Sequence, residues 1–119
     1  MRSLNKVFLL GHVGQTPELL LTKMGQPYTR LSIATHRRWK DNEEKWQEQT
    51  DWHSVMVWGA QAKICSQGIQ KGALVFVEGQ LSPYSHTKED GTVETRHSIH
   101  AAKVSFFNHQ NLSRDQVAV

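Results

Sequence analysis

Two of the four tryptophans in this chain of 119 residues lie in one segment with strand-like alternation. Over residues 51–58, one set of alternate positions holds Trp52 and Trp58, and the other holds Val55 and Val57. Successive side chains of a strand point to opposite faces, so valines in a core would leave the tryptophans outside. Exposed aromatic rings stack on nucleic-acid bases of any sequence, at about 1–3 kcal/mol each. Judged alone, each ring fits a core or subunit-contact position equally well.

A third tryptophan, Trp39, lies in residues 36–40, a stretch with three basic side chains at the end of a predicted strand. The flanking charges predict that its ring is not fully buried. Its parity along the strand matches that of the apolar residues Leu31 and Ile33, a conflict that strong twist at a hairpin end would relieve. Trp46 begins the return strand, and we expect it to pack across the hairpin against Trp39.

The basic charge is concentrated near the start of the chain. There are 14 Lys and Arg residues against 11 Asp and Glu, a formal net charge of +3. Residues 1–40 hold seven basic residues and one acidic residue, a net +6, whereas residues 41–119 hold seven basic and ten acidic residues. Such a local field keeps a protein soluble or attracts a polyanion. The length fits one domain.

Seven histidines raise the question of a metal site. His97 and His100 are three apart on a predicted strand, which places them on opposite faces. The only cysteine, Cys65, lies on a predicted helix and pairs with neither. The other five histidines show no ligand spacing: His12, His36, His53, His86 and His109. We therefore expect neither a metal nor a cofactor.

Enzyme signatures are also missing from the sequence, which has no phosphate-cradling, nucleophile-elbow or zinc-protease motif. The acidic residues Asp41, Glu43 and Glu44 indicate a solvated turn. Cys65 has apolar helix neighbours, which is typical of an inert buried thiol. A single cysteine excludes an internal disulfide and favours a reducing compartment. No apolar run approaches the roughly 18 residues of a membrane span, so we expect a cytoplasmic protein that is not an enzyme.

The elements that position these residues are mostly strands. The pattern predicts five strands, with a short extended piece near residues 19–22, one helix between the third and fourth strands, and a bulge near Lys103. The predicted helix presents Ile64, Cys65 and Ile69 on one face and stops at Gly72. The predicted strands span residues 4–13, 28–39, 46–58, 73–81 and 92–107, the helix 60–71, and a turn-rich loop 83–91. This order is that of an all-β OB-fold, a five-stranded Greek-key barrel. We expect one domain over residues 1–107 and a disordered tail over residues 108–119.

Several stretches also carry a resemblance to a known family. The most specific are Asp51-Trp52-His53 and the K-G-x-x-V-x-V-E-G-x-L pattern of residues 71–81. The others are residues 4–14, 16–18, 31–35, 39–41, 47–55 and 58–59. The chain resembles bacterial single-stranded DNA-binding proteins of the homotetrameric OB-fold type, from about residue 4 to about residue 106.

The resemblance implies roles for named residues. The base-stacking positions are Trp39, Trp52 and Trp58. The basic contact positions are Lys6 and Lys71, together with the hairpin residues Arg37, Arg38 and Lys40. His53 and Phe76 match positions at the family's subunit interface. The expected assembly is therefore a homotetramer, with a dimer as the alternative, located in the bacterial cytoplasm with the nucleoid.

The chain also departs from the family pattern. His86 stands where the family has a tryptophan in the last hairpin, and Lys88 is the only basic residue of residues 81–88. Ser54, Ala60 and residues 19–21 replace other basic positions. His86 can still stack with its smaller ring, and Lys88 can contact a phosphate. Fewer phosphate contacts predict weaker binding that depends less on salt.

The sequence ends at Val119 without the acidic tip that recruits partners in the family, which suggests an accessory paralogue or a truncated chain. The expected function is sequence-independent binding of single-stranded DNA, protecting it in replication, recombination or repair. The alternative is an OB-fold protein-interaction module in a larger assembly, with weakened DNA binding.

Overall fold

A computed structural model describes residues 2–108 and shows one sheet that closes on itself. Its elements are β1 Val7–Val13, β2 Leu20–Leu21, β3 Pro27–Lys40, β4 Trp46–Trp58, α1 Ala60–Gly68, β5 Leu74–Thr87 and β6 Val93–Phe107. The strands follow the order β1-β5-β6-β4-β3-β2, and pairing of β1 with β3 closes five of them into a barrel. The predicted OB-fold is confirmed, and the short β2 lies where the extended piece was expected.

The barrel interior is filled by alternate residues of the long strands, as a period of two requires. Leu31, Ile33, Val55, Val57, Val75 and Val77 are all fully buried. Helix α1 adds Ala62 and Cys65, and Ile69 follows it into the same core. These positions confirm the inward parity expected for β3, β4 and β5, so the intervening residues of each strand face outward.

The end of the helix differs from the prediction. The helix stops at Gly68 rather than continuing to Lys71, and Ile69 is extended. The ring of Phe106 lies 2.5 Å from where a Cβ at position 68 would be, so the site suits only glycine, a poor helix former. Ile64 was expected on the buried face but is 59 % exposed, because the helix face turned to the core is that of Ala62 and Cys65.

Asn108 holds this helix end in place. Its amide donates to the Gly68 carbonyl at 2.7 Å and accepts from the Gln70 N–H at 3.1 Å. Asn108 therefore contacts the barrel directly, although the predicted tail began at this residue. The rest of that predicted tail, residues 109–119, lies outside the described residues.

Two hairpins extend past the closed part of the barrel. We call residues 35–51 the β3–β4 arm and residues 82–98 the β5–β6 arm; each is paired only within itself. The loop expected over residues 83–91 is correct for residues 88–91 but wrong for residues 83–87, because β5 continues to Thr87 against β6. Ser, Pro and His are weak strand formers, and the long pairing with β6 overrides that preference. The predicted bulge is confirmed beside Lys103, since Glu78 pairs with Lys103 and Gly79 with Ala101.

Candidate nucleic-acid interface

The outer face of β3 and β4 carries a ladder of exposed side chains. Trp58 lies opposite Tyr28, with ring centroids 5.2 Å apart, and its ring also approaches His100 of β6 at 6.3 Å. At the other end of the ladder Trp52 lies opposite Ala34 and is 60 % exposed. The expectation that Trp52 and Trp58 face outward is therefore confirmed, with Trp58 half-buried against its aromatic neighbours.

Trp52 owes its position to small residues beneath it. A Cβ at Gly14 would lie 2.5 Å from the Trp52 ring, so the indole rests directly on the glycine backbone. Gly14 itself is held by its N–H, which donates to the Ser32 carbonyl at 2.9 Å. Ala34, opposite Trp52 in the ladder, is buried. One face of the indole is thus supported while more than half of the ring remains open to solvent.

Trp39 lies in the β3–β4 arm and is 40 % exposed. Its parity matches the core residues, as the sequence indicated, but the arm has already left the barrel and no core exists on either face. The Arg37 guanidinium lies 5.6 Å from the centre of the Trp39 ring, a cation–π distance. Arg37 also donates two hydrogen bonds to Asp51, at 2.6 and 3.2 Å. The hydrogen bond from Arg37 holds the pKa of Asp51 below its usual range.

The predicted packing of Trp46 against Trp39 is wrong. The strand register pairs Lys40 with Trp46, and Trp39 with Gln47. Directly opposed residues share a face and adjacent ones do not, so the two indoles lie on opposite faces of the arm. Trp46 shares its face with Arg38 and Lys40, whereas Trp39 shares its face with Arg37.

Arg30 is a candidate that the motif comparison missed. It lies opposite Met56, between the Trp58 and Trp52 ends of the ladder, and its side chain is exposed. It lines a cleft of about 320 Å³ with Ser32 and the loop after β1. Over residues 2–108 it makes no ion pair. Strand alternation alone, with Leu31 turned inward, could have identified it.

The β5–β6 arm holds more charge than the sequence comparison suggested. Lys88 pairs with Glu94 at 3.1 Å, and Arg96 of β6 pairs with the same carboxylate at 2.7 Å. Hydrogen bonds from Arg96 and then Lys88 lower the pKa of Glu94. His86 lies directly opposite Glu94. One carboxylate therefore pairs with two cations beside the His86 ring.

Tyr84 and Arg96 are further residues that sequence reasoning missed. Tyr84 lies on β5, two residues before His86 and on the same face, and it is 46 % exposed. Arg96 lies directly opposite Tyr84 on β6. Reading residues 83–91 as a loop hid the alternation that places Tyr84 beside His86. Recognising the strand would have identified both.

Lys6 and Lys71 lie apart from both arms. Lys6 precedes β1 and pairs with Glu78 at 3.1 Å. Lys71 follows the helix, and its backbone N–H donates to the Thr16 hydroxyl at 3.2 Å. The adjacent Gly72 N–H donates to the Val13 carbonyl at 2.8 Å. These bonds place Lys71 beside the Gly14 loop on which Trp52 rests, whereas Lys6 lies at the opposite end of β1.

Comparison with known proteins identifies the family of this barrel. A profile of the Single-strand binding protein family matches residues 4–107. The chain belongs to the single-strand binding protein family. It is 44 % identical over 84 residues to single-stranded DNA-binding protein 1 of Chlorobaculum tepidum, covering 71 % of this chain and 52 % of that protein. It is 32 % identical over 109 residues to a single-stranded DNA-binding protein of Neisseria meningitidis serogroup A, covering 92 % and 63 %.

Solved structures of this family superpose on the barrel. A Plasmodium falciparum SSB in complex with ssDNA matches with a TM-score of 0.81 and 25 % identity, covering 91 % of this chain and 98 % of that one. A deletion mutant of the Thermus aquaticus single-stranded DNA-binding protein matches with a TM-score of 0.76 and 26 % identity, covering 90 % and 52 %. This family member spans about half to two-thirds of the length of the curated relatives described above.

An apolar patch on this single-strand binding family barrel includes one of the two expected interface residues. Phe76 of β5 is exposed and stacks on Phe8 of β1, with centroids 6.1 Å apart. Leu10, directly opposite Phe76, is exposed on the same face. We call Phe8, Leu10 and Phe76 the β1–β5 patch. His53 is half-buried, and its Nε2 hydrogen-bonds the Thr35 hydroxyl at 2.8 Å.

Within residues 2–108, no group of three or more His, Cys, Asp or Glu side chains is arranged to hold a metal ion. Burial raises the pKa of the Cys65 thiol to about 11, so it stays protonated and unreactive near neutral pH. None of the helices in the described part of the chain is long and apolar enough to cross a membrane.

Proposed function

We propose that this chain is a non-enzymatic protein that binds single-stranded DNA without sequence preference. In this proposal one domain over residues 1–107 covers exposed strands in the bacterial cytoplasm, on the nucleoid, during replication, recombination or repair. The observation that carries it is the ladder on the outer face of β3 and β4, where exposed Trp52 and the Tyr28–Trp58 pair flank Arg30. Family membership supports it, and relatives carry the name single-stranded DNA-binding protein.

The aromatic residues of this surface would bind bases. Trp52 presents an open ring, Trp58 and Tyr28 form an adjoining pair, and Trp39 lies in the arm beyond them. Base stacking depends on the π-face that every base has, so such a surface tolerates any sequence. The smaller rings of Tyr84 and His86 offer a second, weaker stacking surface on the β5–β6 arm.

Cations around these rings would bind phosphates. In the β3–β4 region they are Arg30, Arg37, Arg38 and Lys40; elsewhere they are Lys6, Lys71, Lys88 and Arg96. Arg30 and Lys40 make no ion pair among residues 2–108, so their charge is available to a phosphate. Each neutralised phosphate releases counterions, so affinity should fall as salt rises.

Titration with oligo-dT tests this function, with tryptophan emission followed at low and high salt. The proposal predicts strong quenching at low salt and a lower affinity at high salt. The Ile64→Ala variant is a suitable control, because Ile64 is an exposed apolar residue on the helix rather than on the ladder. Absence of quenching at micromolar protein and low salt would contradict the proposal.

A second candidate function is an OB-fold protein-interaction module within a larger assembly, with weakened DNA binding. The observation that favours it is Glu94, which occupies both Lys88 and Arg96 on the β5–β6 arm. The exposed tryptophans of the other arm favour DNA binding instead. The same titration separates the two, since an interaction module with weakened DNA binding would give little quenching at micromolar protein and low salt.

We further propose that the chain assembles with copies of itself through the β1–β5 patch, as a tetramer or alternatively a dimer. A contiguous exposed apolar patch commonly marks an interface. Among the described residues, β1 pairs with β3 only at His12 and Val13, which leaves one edge of residues 7–11 open to a strand of a second copy. Light scattering should give about four or two times the 13.6 kDa chain mass. A mass of one chain would contradict the proposal.

A further inference from the structure

Trp46 is the more exposed of the two tryptophans in the β3–β4 arm. It has no aromatic partner within the described residues. It is 58 % exposed. The Arg38 guanidinium lies 4.8 Å from the centre of its ring and the Lys40 ammonium lies 5.3 Å away. Both are cation–π distances. The arm therefore presents one indole next to two positive charges, away from any core that would explain the ring.

The register places this cluster on the same face as Trp52. Trp46 lies opposite Lys40, and Trp52 lies opposite Ala34. The positions differ by six residues, an even number, so both indoles project from one face of β4. At about 3.3 Å per residue their Cα atoms are roughly 20 Å apart along the strand. A single strand that follows the ladder past Trp52 and along the arm would meet Trp46 next on that face.

The turn at the end of the arm is held by hydrogen bonds from one side chain. The Asp41 carboxylate accepts the N–H groups of Glu43 and Lys45 at 2.8 and 3.0 Å, and the Gln47 amide at 2.9 Å. These bonds keep the pKa of Asp41 below its usual range, with the Lys45 N–H as the largest cause. Asp41 therefore has a structural role in the turn, whereas Glu43 and Glu44 are exposed, as expected of a solvated turn. The turn fixes the strand register that joins Trp46 to Lys40.

Of the two charges beside Trp46, one makes no ion pair and the other is only loosely paired. Lys40 makes no ion pair in the described part of the chain, and Arg38 has only a long contact to Glu48, at 3.5 Å between two exposed side chains. Exposed pairs of this kind contribute about 0–1 kcal/mol. A phosphate could replace Glu48 as the partner of Arg38 at little cost.

We propose that Trp46 is a further base-stacking residue, and that Arg38 and Lys40 hold its ring and bind the phosphates next to the stacked base. The inference rests on the proposed function, because its ligand is the single-stranded DNA bound by the ladder. It extends the binding surface from the barrel to the end of the β3–β4 arm.

The test compares two substitutions in the otherwise unaltered chain. Trp46→Phe keeps an aromatic ring, whereas Trp46→Leu keeps an apolar side chain without one. Binding of labelled oligo-dT, followed by anisotropy, should be about 5- to 150-fold weaker for Trp46→Leu and close to the unaltered chain for Trp46→Phe. The titrations use both a short and a long oligo-dT. If the unaltered chain and both variants bind each of them with equal affinity, the inference is overturned.

A second measurement follows Trp46 directly. A variant with Trp39, Trp52 and Trp58 changed to Phe leaves Trp46 as the only indole. Its emission should be quenched when oligo-dT binds, and its accessibility to acrylamide should fall. Binding by anisotropy without quenching would overturn the inference but leave the proposed function standing. If this variant does not bind, the Trp46→Leu and Trp46→Phe comparison decides the inference.

Light scattering of Trp46→Leu separates stacking from subunit contact. An unchanged mass supports the stacking role, and dissociation would overturn it in favour of a contact between copies. Failure of the unaltered chain to bind oligo-dT would contradict the proposed function itself.

Discussion

The β3–β4 arm and the β5–β6 arm have the same architecture but use their cations differently. Each is an antiparallel hairpin that continues past the closed barrel. In the β3–β4 arm, Arg37 lies over Trp39, and Arg38 and Lys40 lie over Trp46. In the β5–β6 arm, Lys88 and Arg96 share the single carboxylate of Glu94.

The difference shows how neighbouring groups decide what a surface cation can do. An aromatic ring attracts a cation but carries no net charge, so the cation can still bind a phosphate. A carboxylate cancels the charge, and a phosphate must compete with it. The β3–β4 arm therefore has open rings and, although Asp51 binds Arg37, one cation, Lys40, with no ion pair among residues 2–108. The β5–β6 arm has smaller rings, and one carboxylate binds both of its cations. We expect the first arm to dominate binding, and four predictions test this difference.

The largest effect is expected from removing a ring that is open to solvent. Trp52→Ala should weaken oligo-dT binding by about 1–3 kcal/mol, because it deletes an exposed stacking surface. Trp52 lies on the ladder at the base of the β3–β4 arm, and Tyr84→Ala, which removes a ring from the β5–β6 arm, should cost less. Anisotropy titrations of both variants against Ile64→Ala measure the difference. A larger loss for Tyr84→Ala would contradict the expected dominance of the β3–β4 surface over the β5–β6 arm.

Gly14→Ala should have the next largest effect, acting through Trp52. The new methyl group would meet the Trp52 ring, which must rotate away from its present position. An off-rotamer side chain costs about 0.5–1.5 kcal/mol, so oligo-dT binding should weaken about two- to tenfold. In a Trp52→Ala background the same change should have no further effect on binding. A full additional loss in that background would show that Gly14 acts independently of the indole.

Glu94→Gln should strengthen binding through the β5–β6 arm. It removes the carboxylate shared by Lys88 and Arg96, so both cations could then contact a phosphate. Two further phosphate contacts would steepen the slope of the logarithm of the binding constant against the logarithm of salt concentration by about 1.4 for a single strand. We expect binding about two- to fivefold tighter at low salt, with the gain disappearing at high salt. Glu89→Gln is the control, since Glu89 in the same hairpin forms no ion pair among residues 2–108. An unchanged salt dependence would mean that this arm does not meet DNA.

The smallest effect is a pH dependence in the β3–β4 turn. Hydrogen bonding lowers the pKa of Asp41 from its ordinary 3.8. The stability that the ionised Asp41 gives to the turn is therefore fully present above pH 3.8 and is lost as pH falls through the lowered pKa. Emission of the single-indole Trp46 variant should therefore change below about pH 3.8. Asp41→Asn in that background should lack the transition. A transition of the same size in the Asp41→Asn protein would assign it to another group.

Strand alternation made the outward ladder predictable. The period of two in residues 51–58 placed Val55 and Val57 inside and Trp52 and Trp58 outside, and the structure agrees. This works because side-chain direction in a strand depends only on the backbone of that strand. The element order was sufficient for the OB-fold for a similar reason, since one helix among five amphipathic strands leaves few ways to close a barrel.

Features that depend on two distant segments were not predictable. Residues 83–87 have loop-like composition and become a strand only because β6 pairs with them. The ring of Phe106, 38 positions later in the chain, occupies the space that a Cβ at position 68 would need, so a glycine stands where the helix ends.

Through its local pattern, the sequence by itself determined the barrel, its core and the outward direction of two tryptophans. Only the tertiary structure decided that Trp46 shares a face with Arg38 and Lys40 rather than with Trp39, because cross-strand register is a relation between strands. It also decided which cations are neutralised, as with Glu94 between Lys88 and Arg96. Charge counts are additive along a chain, but the availability of each charge depends on which groups folding places beside it.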